Sequence, residues 1–192
     1  MKITKWLALL LIVGGVLFIG YGIFNILDTK AQTKHSLSEA KEVIKNENQK
    51  WLDKESKRFE PPIGNAVGLL IIDKIDGELP IVEGTDPDDL EKGVGHYKGS
   101  FYPDENGQIV LSGHRDTVFR RAGELEIGDE LKLSLPYGEY SYKIISTKIV
   151  DADDQSIITL DDTEEELVLT TCYPFRYIGN APQRYIIYAE RN

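Results

Sequence analysis

The sequence predicts an all-β domain, a closed barrel or a sandwich, behind one N-terminal membrane-spanning helix. An uncharged apolar run fills the N-terminus, from Trp6 to Leu27. After residue 65 the chain consists of short runs rich in β-branched and aromatic residues, separated by turn-forming residues. These runs are not joined by segments with the length and periodicity of crossover helices, so the strands are expected to be largely antiparallel.

The apolar run reads WLALLLIVGGVLFIGYGIFNIL, 22 residues without a charge. As a helix it would be about 33 Å long, enough to cross a hydrocarbon layer of about 30 Å. A cleaved signal peptide is the alternative, but its apolar region is usually about 7–15 residues long and ends at a small-residue cleavage site. Ile26-Leu27-Asp28 is not such a site. Residues 1–27 are therefore interpreted as a cytoplasmic head and an uncleaved single-pass anchor.

The orientation of this anchor does not follow from charge alone, because lysines lie on both sides of the run. Large domains are translocated largely regardless of flanking charge, and a short basic head before an apolar run is typical of signal anchors. We expect the remainder of the chain to be extracellular, at the cell membrane.

Residues 28–65 are predicted to be an extracellular stalk or linker, with a helix over 36–60. Ser36 can cap that helix, Glu39 completes a capping box, and Pro61-Pro62 ends it. The apolar stripe is patchy, which favours a solvated stalk over the alternative of a helix docked on the following domain.

Residues 66–192 form the predicted β-domain. One helical turn is expected at 86–93, and the turns contain Asp76-Gly77, Asn106-Gly107 and Pro136-Tyr137-Gly138. The predicted strands cover residues 66–73, 79–84, 108–114, 129–135, 140–150, 166–172 and 184–190.

Composition excludes several classes of function. The formal net charge of −10 and the lack of a Lys/Arg cluster argue against nucleic acid as a partner. The single cysteine cannot form an intrachain disulfide, and the Cys/His spacing does not match a zinc site. The acidic runs at 151–154 and 161–166 are interpreted as solvated surface, and neither a cofactor nor a metal is expected.

Three residues that could carry chemistry lie at predicted strand ends: His114, Cys172 and Arg184. Alone, each has an ordinary structural explanation: a buried thiol, a turn histidine and an edge-strand arginine. Together they supply a nucleophile, a proton-transfer group and a cation, which is the minimum set for acyl transfer through a thioester.

The segments GHRDTVF and LVLTTC, with Arg184 twelve residues after the cysteine, resemble the sortases, the cysteine transpeptidases of the Gram-positive surface. The sortase signature is a Thr-Leu-x-Thr-Cys strand end, with a histidine about sixty residues upstream and an arginine on the next strand. Residues 168–172 match it except for Val168 in place of the first threonine. The resemblance covers roughly residues 66–190 and is closest to class D sortases.

This resemblance implies the eight-stranded sortase β-barrel. It implies that Cys172 attacks an LPxT-type C-terminal sorting signal of a surface protein, that His114 is the general acid and that Arg184 stabilises the oxyanion. A peptidoglycan amine would then resolve the thioester. The alternatives left open are a cysteine hydrolase of the same signal and a non-enzymatic wall-binding β-domain.

Four neighbouring residues need separate interpretation. His96 is a rival base in a glycine-rich loop, but the family histidine corresponds to His114. His35 is incidental in the stalk. Asp116 either contacts substrate and orients His114 or caps local backbone, and Thr171 lends its hydroxyl or its amide to the substrate.

Overall fold

The structure, a computed structural model, describes residues 2–46, 58–160, 162–177 and 179–192. Two α-helices and eight strands make up its regular elements, with short 3₁₀ turns at Asp73–Ile75 and Ala122–Glu124. The elements, in chain order, are α1 Lys2–Lys45, β1 Ala66–Ile72, β2 Gly77–Glu83, α2 Pro87–Lys92, β3 Val94–His96, β4 Gln108–Gly113, β5 Glu130–Leu135, β6 Gly138–Asp151, β7 Glu166–Tyr173 and β8 Gln183–Arg191.

The strands close into a barrel in the order β1-β2-β3-β4-β7-β8-β6-β5, with β5 pairing back onto β1. Six of the neighbouring pairs are antiparallel, while β2–β3 and β4–β7 are parallel. The predicted eight-stranded closed barrel is confirmed. Closure leaves the sheet without a free edge, so all strands contribute to one core.

Alternate residues along the strands fill the barrel interior. On β4, β7 and β8 the inward set includes Ile109, Leu111, Leu167, Leu169 and Ile187. The intervening residues form a second, outer cluster, in which the partly buried Tyr97, Ile158 and Tyr188 pack against Val110, Val150, Ile157, Val168 and Ile186. This alternation fixes which face each later residue of these strands presents.

The sequence prediction missed β3 and placed His96 in a glycine-rich loop. His96 is the last residue of β3, whose three residues pair with β2 on one side and β4 on the other. The strand is too short to show a period-two pattern, and two of the three residues before His96 are glycines. The predicted helical turn at 86–93 is confirmed as α2, the connection between parallel strands β2 and β3.

The N-terminal helix is longer than predicted and is docked on the barrel. Ser36, expected to cap a new helix, lies in the middle of α1 and is buried. Ala40 is also buried and packs with Ala66 and Leu69 of β1. The expected solvated stalk is therefore wrong for residues 36–45, because small side chains let the helix approach the sheet closely. Residues 47–57 of the predicted stalk lie outside the described residues.

Polar contacts reinforce this docking. Lys41 Nζ lies 2.8 Å from Glu78 Oε2 on β2. Nearer the apolar part of α1, Thr33 Oγ1 donates to the carbonyl oxygen of Glu91 at 3.1 Å. α1 continues across residue 27 without a break, so the helix itself marks no boundary between anchor and stalk at that residue. The division of the chain into domains 1–27, 28–65 and 66–192 stays a prediction.

Replacing Ala40 with glutamine is expected to destabilise the barrel by about 1–3 kcal/mol, because the larger side chain has no room against Ala66 and Leu69. The free energy of unfolding of the full chain in detergent measures this effect. Ala31→Gln is the matched control, since Ala31 lies on the exposed part of the same helix. Equal stability of the two variants would contradict the docked position of α1.

Candidate active site

Three adjacent strands, β4, β7 and β8, bring the predicted catalytic residues together. Cys172 on β7 lies directly opposite Arg184 on β8 in the antiparallel register. On the other side of β7, Thr171 is level with Gly113, the last residue of β4, and His114 follows it. Directly opposed residues of antiparallel strands have Cα atoms about 4.5–5.5 Å apart. Cys172 therefore lies between the β4 end that carries His114 and the strand that carries Arg184.

The alternation along the strands assigns Cys172 and Arg184 to the outer face of the barrel wall, and His114, one residue beyond the end of β4, continues the same parity. Val168 lies four residues before Cys172 on β7, so both side chains are on the same face of the strand, and Val168 belongs to the outer cluster. Arg184 precedes Ile186 and His114 follows Val110 with the same parity. The thiol is partly buried, and His114 and Arg184 also keep some solvent exposure. The three side chains can thus meet a ligand that lies along the outside of the barrel.

The turn that carries His114 is fixed by close packing. A Cβ on Gly113 would lie 2.6 Å from the Phe119 ring, so only glycine fits there. The His114 carbonyl accepts from the Phe119 amide at 3.0 Å, which folds the chain back beneath the histidine. The turn is therefore set by close packing and a backbone hydrogen bond, and within the described ranges no hydrogen bond occupies the imidazole.

The Arg184 guanidinium is already partly engaged. Its Nη1 donates to the carbonyl oxygens of Gln183 at 3.0 Å and Ala181 at 3.3 Å. Within the described part of the chain, its Nε and Nη2 donors make no hydrogen bond, and a guanidinium has five donors in all. The remaining donors can therefore address an anionic or carbonyl oxygen beside Cys172.

Comparison with known proteins identifies the family. The sortase domain family model matches residues 70–192, which include all three strand ends described above. The chain belongs to the sortase family. This sortase is 59% identical to Sortase D of Bacillus subtilis (strain 168) over 194 residues, covering 97% of this chain and 98% of that protein.

Solved structures agree with this assignment. The sortase superposes on a Clostridium perfringens Sortase D5 transpeptidase with a TM-score of 0.66 and 26% identity, covering 81% of this chain and 99% of that one. It superposes on the SrtA sortase of Actinomyces oris with a TM-score of 0.64 and 27% identity, covering 70% and 84%. Sortases are cysteine transpeptidases that act on surface proteins with sorting signals, and the single cysteine of this chain is consistent with that family.

Thr171 and Asp116 were both predicted to contact substrate. Thr171 has the inward parity of Leu169, is buried, and donates its hydroxyl to the Gly113 carbonyl at 2.7 Å. That hydrogen bond ties the Cys172 strand to the His114 strand, and Thr171 is also paired with a neighbouring strand on each side. Asp116 is exposed, and among the described residues it makes no hydrogen bond with His114.

His96, the rival base, belongs to a closed buried network. Its Nδ1 lies 2.7 Å from Glu83 Oε2, and its Nε2 lies 3.0 Å from both the Phe101 carbonyl and Ser100 Oγ. The ring stacks on Tyr102 at a centroid distance of 3.9 Å. The network borders a cavity of about 500 Å³ whose lining includes neither His114 nor Cys172. His96 therefore holds β2, β3 and the following loop together, and its nitrogens are occupied.

Arg115 was missed by the sequence interpretation, which stopped at the histidine before it. Its guanidinium donates to the Pro174, Tyr177 and Gly179 carbonyls, all in the loop between β7 and β8. The GHRD segment gave the only available signal, an arginine beside the family histidine.

In the described ranges, no group of three or more His, Cys, Asp or Glu side chains is arranged to hold a metal ion.

Proposed function

We propose that this sortase cleaves LPxT-type C-terminal sorting signals through a thioester on Cys172 and transfers the protein to a peptidoglycan amine. The register that sets Cys172 opposite Arg184, and level with the end of the His114 strand, is the observation that carries the proposal. The thiol has a cation on one neighbouring strand and an imidazole beside the other. A partly exposed position on the outer face admits a peptide chain.

In the first half-reaction the Cys172 sulfur, as a thiolate whose proton is held by His114, attacks the carbonyl carbon of the signal's threonine. The bond from that carbon to the nitrogen of the next residue breaks, and His114 gives its proton to the departing amine. In the second half-reaction an acceptor amine attacks the thioester carbon and returns a proton to His114. The thiolate leaves, and a new amide joins surface protein and acceptor.

Arg184 is proposed to stabilise the oxyanion that develops in both steps, with donors on Nε and Nη2. Below Cys172 and Arg184 the outer face continues in a row made of Ser112, Thr170 and Ile186, which are register neighbours. We assign the partly exposed Ser112 and Thr170 of this row to the floor beneath the bound signal, while Ile186 is buried. The hydroxyl side chains of this floor suit a largely uncharged peptide.

The N-terminal helix is proposed to be a single-pass anchor with the barrel outside the cell. Its apolar part is long enough to cross a membrane, and no residue of that part packs against the barrel. Contacts with the barrel begin at Gln32 and Thr33, five and six residues beyond Leu27. The catalytic domain would therefore stay close to the membrane surface, where substrate and acceptor share one plane and a raised effective concentration.

The test uses the full chain in detergent, a peptide library of Leu-Pro-x-Thr-Ala/Gly type, and an amine acceptor added or withheld. Mass spectrometry is expected to detect a thioester on Cys172, and an amide product only when amine is present. Cys172→Ala is the control and should form neither.

Two other outcomes would contradict the proposed transpeptidation. Release of the peptide as a free acid, whether or not amine is present, would indicate that the enzyme is a hydrolase and not a transpeptidase. An unmodified Cys172 that also resists thiol reagents in the folded protein would support a non-enzymatic wall-binding domain.

A further inference from the structure

The loop between β7 and β8 connects the proposed nucleophile to the proposed oxyanion cation. It leaves β7 directly after Cys172 and Tyr173 and enters β8 directly before Arg184. A displacement at either end of the loop would act on the end of β7 or on the start of β8. Its conformation is therefore coupled to the relative position of the thiol and the guanidinium.

Two guanidinium groups hold this loop by its backbone. Arg115 donates from Nη1 to the Pro174 carbonyl at 3.1 Å, and from Nη2 to the Tyr177 and Gly179 carbonyls at 2.8 Å each. Arg184 donates to the Ala181 and Gln183 carbonyls, at the end of the loop. The first half of the loop is thus bound by a residue from a different strand end, and the second half by Arg184 itself.

The aromatic residues of the loop add packing to these hydrogen bonds. The Phe175 ring packs edge-on against Tyr173 and Tyr185, with centroid distances of 5.7 and 5.3 Å. The Arg115 guanidinium also lies 6.0 Å from the centre of the Tyr177 ring. The aromatic contacts attach the loop to the β7 and β8 strands. The Arg115 hydrogen bonds attach it to the turn of the histidine.

Because Arg115 follows His114 in the chain, its contacts link the histidine to the loop between β7 and β8. Its backbone is bonded directly to that of His114. Its side chain binds the segment that follows Cys172. A lysine can replace it only in part, because a single ammonium on a flexible stem does not present the planar fork that reaches three carbonyls. The link between the two strand ends therefore depends on the guanidinium.

We propose that Arg115 is a positioning residue for the transfer reaction. Its guanidinium clamps the β7–β8 loop to the His114 turn, and so holds Cys172 and Arg184 in register with the imidazole. The proposal rests on the function proposed above, in which these three residues act together. Arg115 does not touch the reacting atoms, and the effect of its loss is on geometry.

The experiment compares Arg115→Ala and Arg115→Lys with the wild type and with Arg176→Ala. Arg176 is a matched control, because it is an exposed arginine in the same loop. Three quantities are measured on the full chain in detergent: the single-turnover rate of Cys172 acylation by the signal peptide, the rate of Cys172 alkylation by iodoacetamide, and amide hydrogen exchange in the β7–β8 loop and in β7.

Acylation is expected to be slower by about 10- to 100-fold in Arg115→Ala, because small misplacements of reacting groups have effects of that size. Arg115→Lys should fall between that variant and the wild type, and Arg176→Ala should match the wild type. Alkylation by the small reagent should change less than twofold, since it needs no aligned oxyanion site. Exchange should accelerate in the loop and stay unchanged in β7.

Acylation by Arg115→Ala within twofold of the wild type would overturn the proposal. So would an equal loss of acylation and alkylation with faster exchange throughout β7, because that pattern marks general loss of structure. If Arg115→Ala does not fold, Arg115→Lys decides by the same criteria. A wild type that forms no adduct would refute the proposed function, while loop exchange would still report whether Arg115 holds the loop.

Discussion

Replacing His114 with asparagine is expected to lower kcat for transpeptidation by about 10²- to 10⁴-fold, the range typical for loss of a general acid–base group. The leaving amine would then depart without a proton from the enzyme. The free energy of unfolding should change by less than about 0.5 kcal/mol, because the side chain is partly exposed and the turn depends on its backbone carbonyl. Steady-state assays and urea denaturation of the same preparation measure the two effects.

The chain supplies its own controls, because it contains three histidines and each lies in a different environment. His35→Asn removes an exposed residue of α1 that pairs with Glu39, and should change neither activity nor stability measurably. His96→Asn disrupts a buried network and should lower stability first. If His96→Asn reduced activity at unchanged stability while His114→Asn did not, the assignment of the base would be wrong.

The barrel could be predicted because its strands carry strong local signals. Runs such as AVGLLII and ELVLTTCY have the β-branched composition and length of strands, and turn residues mark their ends. The short strand β3 and the parallel pairing of β4 with β7 depend on neighbours distant in sequence, and local composition does not encode them. The docking of α1 was missed for the same reason: Ser36 and Ala40 form a narrow small-residue surface that looks polar and weak until the sheet is placed against it.

The candidate site also contains residues that could be predicted from the sequence and one that could not. His114, Cys172 and Arg184 could be named from the sequence because each carries a reactive group at a strand end and because the motifs resemble those of sortases. Arg115 could not, since its importance lies in three backbone carbonyls that the fold brings to it from about sixty residues away. Backbone acceptors are present at every position and leave no mark in the sequence.

The Glu83–His96–Tyr102 network carries the largest expected effect on stability. Glu83 Oε2 accepts from the Tyr102 hydroxyl at 2.6 Å and lies 2.7 Å from His96 Nδ1, and all three side chains are buried. Burial, and after it the charge of Glu83, raises the pKa of Tyr102 well above its usual value. The phenol therefore stays protonated and remains a donor to the carboxylate. Among the described residues, no fully buried side-chain nitrogen or oxygen lacks a hydrogen-bond partner, these three side chains included.

Glu83→Ala is expected to reduce the free energy of unfolding by about 3–5 kcal/mol, because it leaves His96 Nδ1 and the Tyr102 hydroxyl buried without their partner. Glu78→Ala, on the same strand but half exposed, is the matched control and should cost less than about 1 kcal/mol. Glu83→Gln keeps an acceptor oxygen and should fall between the two. Urea denaturation of the full chain in detergent measures all three.

A double-mutant cycle with His96→Leu separates the network from simple loss of packing. If the two side chains act as a pair, the second substitution should cost much less in the Glu83→Ala background than in the wild type, because its partner is already gone. Additive effects would mean that each side chain contributes only its own packing. The cycle also bears on the active site, because β3 lies beside β4 and its Gly95 is level with Ser112, two residues before His114. Loosening the network should therefore lower activity only as far as it loosens the strand that ends at the histidine.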